Sequence, residues 1–404
     1  MNDKKYKLSG MQIFKLIWFG QFIPIMGTAM TRFALIIWAY EQTGTATTTA
    51  LLGFFSYLPY ILLCPLAGVI VDRFSRKKIL ILSDLCAGIM TVILFLLYKS
   101  GNLEVWHLFL AEAVASSFEA FQIPAFSSTI SLLISKENYI KASGMRSFSS
   151  YCSTVLAPIL GGIFVLKIGV NGVMLIDIVT FVVAIGIMMR VTLPNPERKS
   201  CNEETKVTLI EEMKVGFQYL RKFKGLIHLM LLYVEVNFFA ALTYFGILPA
   251  MILARSGSDR IALASVQSAL GIGGIVGSFI VSTRKGSSRK VNIIVISGIG
   301  SFLFGDLLLA IGRSYHWWIV GVFSTRDMMQ MASMPIGFIL GGFLADHVFE
   351  PAMATSWNLS NFLSRFVGSG KGAGMAAMFL LTGICGTCVC LSGYFNKDLK
   401  DLND

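Results

Sequence analysis

This chain is poor in histidine and, for its length, in charge. Lys, Arg, Asp and Glu together make up 14% of it, where a soluble globular protein carries about 25%. The four histidines, among them His107 and His228, fall in no paired metal or nucleophile arrangement, which leaves little for a membrane enzyme to work with. A glycine-rich phosphate loop is also missing, so ATP is not the expected energy source and no cofactor is implied. The seven cysteines are odd in number, and Cys64, Cys86 and Cys152 sit inside apolar runs, which excludes a disulfide framework. Cys385, Cys388 and Cys390 have a metal-like spacing but no histidine nearby, and their surroundings read as lipid-facing, so no metal is expected.

Apolar sequence is abundant instead: 55% of the residues are hydrophobic and the mean hydropathy is +0.69. A helix crossing the hydrocarbon core needs about 20 apolar residues. Such runs recur near residues 14–39, 47–71, 79–98, 105–134, 145–166 and 172–191, and again near 226–254, 261–283, 291–311 and 372–394. The first run is too long for a signal-peptide core and has no clear cleavage site, so it is expected to be retained. The expected organisation is an N-terminal six-helix bundle over 1–191, a cytoplasmic linker over 192–225 and a C-terminal bundle over 226–404. Within the linker, Leu209 to Phe223 reads as an amphipathic helix lying on the membrane face.

The net charge of +11 lies in loops, and mostly on one side. Lys4, Lys5 and Lys7, then Arg73, Arg76, Lys77 and Lys78, then Lys136 and Lys141, then the 192–224 stretch, then Arg284, Lys285, Arg289 and Lys290 fall on alternate loops. The opposite loops hold little beyond Lys99, Lys167, Arg255, Arg260 and Arg313. Positive charge stays cytoplasmic, so the amino terminus and the linker are placed inside the cell and the basic surface is not assigned to nucleic acid. A bacterial-type cell membrane, a lipid partner and a monomeric state complete that expectation.

The loop after the second span reads Gly68, Val69, Ile70, Val71, Asp72, Arg73, Phe74, Ser75, Arg76, Lys77, Lys78. It resembles the signature loop of the major facilitator superfamily, with Ser75 where the family usually has a glycine. The resemblance assigns Gly68 to close helix approach and Asp72, Arg73, Arg76 and Lys77 to partner exchange at a cytoplasmic helix end. The fifth span carries Ala157, Pro158, Ile159, Leu160, Gly161 and Gly162, which resembles the motif that marks antiporters in that superfamily, with Ala157 in place of its first glycine. Over the whole chain the resemblance is to the drug-exporting, macrolide-efflux-like branch. It implies two six-helix bundles working by alternating access, protons as the exchanged ion, and a small amphiphilic substrate.

Charges inside a span cost several kcal/mol (about 2.5–3.5 on insertion scales) unless paired or hydrated, so each is a functional candidate. Glu112 and Glu119 share one face of the fourth span, about 10 Å apart along its axis. Arg32 of the first span lies at a depth similar to Glu112, and an ion pair is expected between them. Glu235 and Asn237 lie near the middle of the seventh span. Glu235 is the leading candidate for a proton carrier and Glu119 the second, whereas Asp84, Asp177 and Asp306 read as hydrogen-bonding groups that hold helices together. The resemblance also puts Ala115 where many proton-linked relatives carry an arginine. Phe238, Phe239 and Tyr244 are candidates to line an apolar pocket.

The run from Trp317 to Phe349 contains Arg326 and Asp327, and is too long for one span yet too short for two with a turn. On the family pattern the tenth helix is truncated, leaving about 11 spans. Three readings stay open: an exporter, a metabolite importer or uniporter, and a transport-defective membrane protein.

Overall fold

The computed structural model describes residues 10–191, 224–283, 299, 303, 306–312, 334–355 and 358–395. All regular structure among them is helical. Six of the described helices are long and apolar enough to cross a membrane. The linker helix expected over 209–223, and Arg326, Asp327 and the truncated tenth helix, lie outside the described residues.

The chain divides into two compact units, one formed by 1–195 with 258–272, the other by 196–257 with 273–404. The first differs from the sequence expectation in taking 258–272, which the apolar runs alone assign to the later bundle.

The first unit opens with α1 (Gly10–Thr43), α2 (Ala46–Arg73), α3 (Arg76–Lys99) and α4 (Val105–Leu133). At about 1.5 Å per residue these run roughly 36–51 Å, longer than the hydrocarbon core. The start of α4 is fixed by a capping box, in which the Glu104 backbone N–H donates to His107 Nδ1 at 3.0 Å. This gives His107 a structural job at a helix end.

The continuous helix α5 (Lys136–Arg190) holds both the fifth and the sixth expected spans. Gly169, at φ 72° and ψ 176°, breaks it into two, in a region of backbone space that only glycine enters cheaply. The expected connection between 166 and 172 is therefore a one-residue hinge point. Burial of Met30, Ala34, Leu108, Ala157 and Met174 joins α1, α4 and both parts of α5 in one core. Because lipid is as apolar as the core, close packing holds these helices together more than water exclusion does.

The antiporter-like motif sits at close helix contacts within this unit. A Cβ added at Gly161 would lie 3.1 Å from the Phe33 ring and 3.4 Å from the Met30 carbonyl of α1, and one at Gly162 would lie 3.1 Å from Ala264 Cβ. Ala157 and Pro158 are buried beside them. The 258–272 segment is further tied to α1 by Arg260, which donates from Nε and Nη2 to the two Glu41 carboxylate oxygens, both at 2.9 Å.

The second unit contains α6 (Lys224–Ala240), a π-helical turn at Ala241–Phe245, and α7 (Leu248–Ser256). The helix α8 (Arg260–Thr283) begins in the first unit and ends in the second. There follow α9 (Leu307–Ile311), α10 (Met334–Leu344), a second π turn at Ala345–Phe349, α11 (Glu350–Ala354), α12 (Asn358–Val367) and α13 (Ala373–Phe395). The ambiguous run thus contains the start of a continuous helical segment at Met334 that passes through the π turn to Ala354.

Gly337 and Gly341 of α10 face the π turn, and a Cβ at Gly341 would collide with the Leu242 carbonyl. Helix ends in this unit are held by side chains. Arg255 donates to the carbonyls of Gly312, at 3.0 Å, and Val367. Glu350 accepts from the backbone N–H of Met375 at 2.9 Å and of Gly372 at 3.2 Å.

Candidate functional site

Polar side chains from α1, α3, α4 and α5 converge on a cavity of about 220 Å³ inside the first unit. Its wall includes Gln21, Thr28, Arg32, Asp84, Glu119 and Gln122. These positions are buildable because each helix turns a polar residue inward every few turns along an otherwise apolar span.

Arg32 is the only cation on that wall. Its Nε lies 3.3 Å from Glu112 Oε2 and its Nη2 lies 3.4 Å from Glu119 Oε2. The two acids are two turns apart on one face of α4, so the guanidinium enters from α1 at the level between them. Ala115, in the α4 turn between the two acids, also lines the cavity. Its methyl leaves room that a long α4 side chain would fill. Both contacts exceed the roughly 2.7–2.9 Å of a tight charge-assisted hydrogen bond. One guanidinium is therefore shared between two carboxylates and is not locked bidentately on either.

The two acids differ in setting. The Glu112 side chain is 16% exposed and its Oε2 also accepts from Ser56 Oγ at 2.7 Å. The Glu119 side chain is 43% exposed and opens on the cavity. Glu112 is thus the more enclosed partner of Arg32 and Glu119 the more exposed one. Ser56 carries no sequence signal, since an isolated serine in an apolar span is ordinary.

Deeper on the same wall, Asp84 is 3% exposed. Gln21 Nε2 donates to its Oδ2 at 2.7 Å, and Gln122 Nε2 donates to its Oδ1 at 2.7 Å and to Gln21 Oε1 at 2.9 Å. Two glutamines inside apolar spans, one of them three residues after Glu119, were the signal that sequence reasoning passed over. Asp177 is fully buried and accepts from Thr28 Oγ1 at 3.3 Å and Thr91 Oγ1 at 3.2 Å. In the second unit Asp306 accepts from Thr382 Oγ1 at 3.2 Å.

Glu235 and Asn237 belong to the second unit. Asn237 is buried and spends its amide on the Tyr233 carbonyl of its own helix, at 2.8 Å. Glu235 is exposed, and no ion pair is seen for it among the described residues. Two residues apart on an α-helix are about 200° apart around the axis, so they do not share one face. Tyr244 stacks edge-on to Phe379 and Phe238 to Phe239, all within the second unit.

In the signature-like loop, Lys77 Nζ donates to the carbonyls of Met189, at 2.9 Å, and Val191, at 2.6 Å. A cation there satisfies orphan carbonyls at the end of α5 and complements its dipole. Ser75 has φ −63°, so the turn never needs the positive φ that a glycine would permit. Arg76 opens α3. Gly68 is exposed, and a Cβ there meets nothing within 4 Å among the described residues. The side chains of Asp72 and Arg73 lie outside the described set.

Comparison with known proteins agrees with this architecture. Macrolide efflux protein A of Streptococcus pyogenes is 24% identical over 370 residues, covering 83% of this chain and 90% of that protein. An uncharacterized MFS-type transporter of Bacillus subtilis, YkuC, is 25% identical over 350 residues, covering 84% and 79%. Among solved structures, a bacterial homolog of the human lysosomal transporter Spinster, inward-facing and unoccupied, matches with a TM-score of 0.58 at 14% identity, covering 97% of this chain and 96% of that one. The peptide transporter POT matches with a TM-score of 0.62 at 13% identity, covering 96% and 97%. The family model described as Major Facilitator Superfamily matches residues 17–386, and the chain is therefore a multi-pass membrane transporter belonging to the major facilitator superfamily.

Proposed function

We propose that this transporter exports small amphiphilic compounds, macrolide-like in size and polarity, across a bacterial cell membrane in exchange for protons, with its amino terminus in the cytoplasm. The observation that carries the reading is Arg32 shared between Glu112 and the more exposed Glu119 on the cavity wall. A proton on Glu119 removes one of the two negative charges that hold the guanidinium. Arg32 then settles on Glu112, and the wall presents a neutral carboxyl to the cavity. Loss of that proton restores the shared arrangement. A ligand that binds one charge state better than the other is thereby coupled to proton movement, which is all that exchange requires.

The efflux direction is supported by the Ala157 to Gly162 motif, whose glycines seat α5 against α1 and the 258–272 segment. The 24% identity to a macrolide efflux protein supports the substrate class. The test is to reconstitute the full chain in proteoliposomes, impose a proton gradient, and follow a radiolabelled macrolide and a fluorescent amphiphilic dye, with Glu119→Gln alongside. Gradient-driven movement in the wild type that the variant loses supports antiport. Movement indifferent to the gradient in well-folded wild type overturns it, and movement down the metabolite gradient alone would mark a uniporter.

A further inference from the structure

Asp84 is a buried carboxyl on the wall of an open cavity, and no cation lies within 4 Å of it among the described residues. The charged side chains that share its cavity are Arg32 on α1 and Glu119 on α4. Arg32 is already committed to Glu112 and Glu119. Around Asp84 itself stand only neutral groups: Gln21 on α1, Gln122 on α4 and Ser83 on its own helix, whose hydroxyl donates to the Phe118 carbonyl at 3.1 Å.

What surrounds Asp84 selects its ligand. A metal ion would want oxygen atoms turned toward the carboxylate, but the two glutamines present N–H groups, one to each carboxylate oxygen. A primary amide carries both donors and an acceptor. With Asp84 ionised, both amides donate to it, as seen. With Asp84 protonated, one amide turns about its terminal torsion and its oxygen accepts from the new O–H. The carboxyl keeps a partner in either charge state, and the turn gives up the Gln122 to Gln21 hydrogen bond in exchange for the bond to the new O–H. Asp177 and Asp306 are not among the residues that line this cavity.

We propose that Asp84 is a second proton-binding carboxyl of the transport cycle, held in either charge state by Gln21 and Gln122. This rests on the proton-exchange reading above and extends it to a relay. Glu119 and Gln122 are three residues apart on α4, about 4.5 Å along the axis, so the two carboxyls open on one continuous wall. In the relay the O–H bond on Glu119 breaks, water admitted to the cavity carries the proton, and an O–H bond forms on the Asp84 carboxylate. Glu119 is left ionised and paired with Arg32, and the charge in the cavity is conserved.

The experiment uses the full chain in proteoliposomes with a radiolabelled macrolide. Asp84→Asn is expected to lower gradient-driven transport about tenfold, within the usual range of coupling energies. Infrared difference spectra across a pH titration supply a readout independent of transport. The wild type should show a carboxylic C=O band on acidification that Asp84→Asn lacks. Gradient-driven transport by Asp84→Asn at the wild-type rate overturns the proposal. So does an unchanged infrared band, even where the variant loses transport. If the wild type ignores the gradient yet the band titrates and vanishes in the variant, the proton site stands and the antiport reading falls.

Discussion

In the first unit a guanidinium shared by two glutamates borders a cavity that a third carboxyl also lines; in the second, the described arginine and glutamate that are best placed, Arg255 and Glu350, grip backbone groups at helix ends. Both solve the same problem, since a charge in or near the bilayer must be paired or satisfied. A side chain that pairs with another side chain can change partners when a proton or ligand arrives. One that caps a helix cannot do so without fraying the helix. On the proposed function, ion chemistry belongs to the first unit and mechanical anchoring to the described part of the second.

The strongest challenge to that assignment is Arg32→Ala. It leaves Glu112, 16% exposed, beside only Ser56, and leaves Glu119 without its cation. Truncating one partner of a buried pair costs about 3–5 kcal/mol, and the 35% exposure of Arg32 brings the expectation nearer 2 kcal/mol. Macrolide efflux should be abolished and the melting temperature in detergent lowered. A double variant, Arg32→Ala with Glu112→Gln, should recover stability but not efflux. Recovery of both would show that the cluster only holds helices together.

A mechanical role for the second unit is tested by Gly341→Leu. Any side chain here collides with the Leu242 backbone at the π turn, and overpacking a close helix contact costs about 1–3 kcal/mol. Folded yield and thermal stability should fall, and efflux per folded molecule should fall only as far as the two helices are forced apart. Normal stability would mean that α10 and the π turn separate freely, and that this contact is not an anchor.

In the signature-like loop the expected effect is smaller. Lys77→Ala removes two donors to the Met189 and Val191 carbonyls at a partly exposed helix end, worth about 0.5–1 kcal/mol together with the dipole term. Thermal unfolding should detect it, and Lys77→Arg should restore most of the loss. A full loss of folding would show that the end of α5 depends on this one cap.

The apolar helices and the family were legible in the sequence because they rest on long averages: 20-residue apolar runs and an eleven-residue motif survive small errors at any position. The Arg32 and Glu112 pairing was also legible, since only a few charges interrupt the spans and their depths can be compared. The Asp84 triad was not, because glutamine in a span is a weak signal and the pairing of Gln21 with Gln122 spans 101 residues. Glu235 rests on depth alone, and depth says nothing about which side of the helix a residue occupies; in the structure its side chain is exposed. The close packing of 258–272 with the first unit was hidden for a similar reason, since apolar runs reveal that a helix exists without naming its neighbours.

The smallest effect is expected from Asp306→Asn, and it decides whether the comparison holds. Asp306 is buried at 3% exposure and accepts from Thr382 Oγ1 at 3.2 Å, while Thr382 also reaches Thr243 Oγ1 at 3.4 Å. Asparagine keeps an acceptor oxygen at the same reach and has nearly the same volume, so the hydrogen bond survives and stability should change by about 0.5 kcal/mol or less. Efflux and its dependence on the proton gradient should match the wild type, in contrast to the loss expected for the isosteric Asp84→Asn in the first unit. The two substitutions remove the same charge from equally buried carboxyls, and they differ in that only Asp84 borders the cavity. If Asp306→Asn uncouples transport as well, proton exchange is distributed over both units and access to the first unit's cavity is not what makes a buried carboxyl functional.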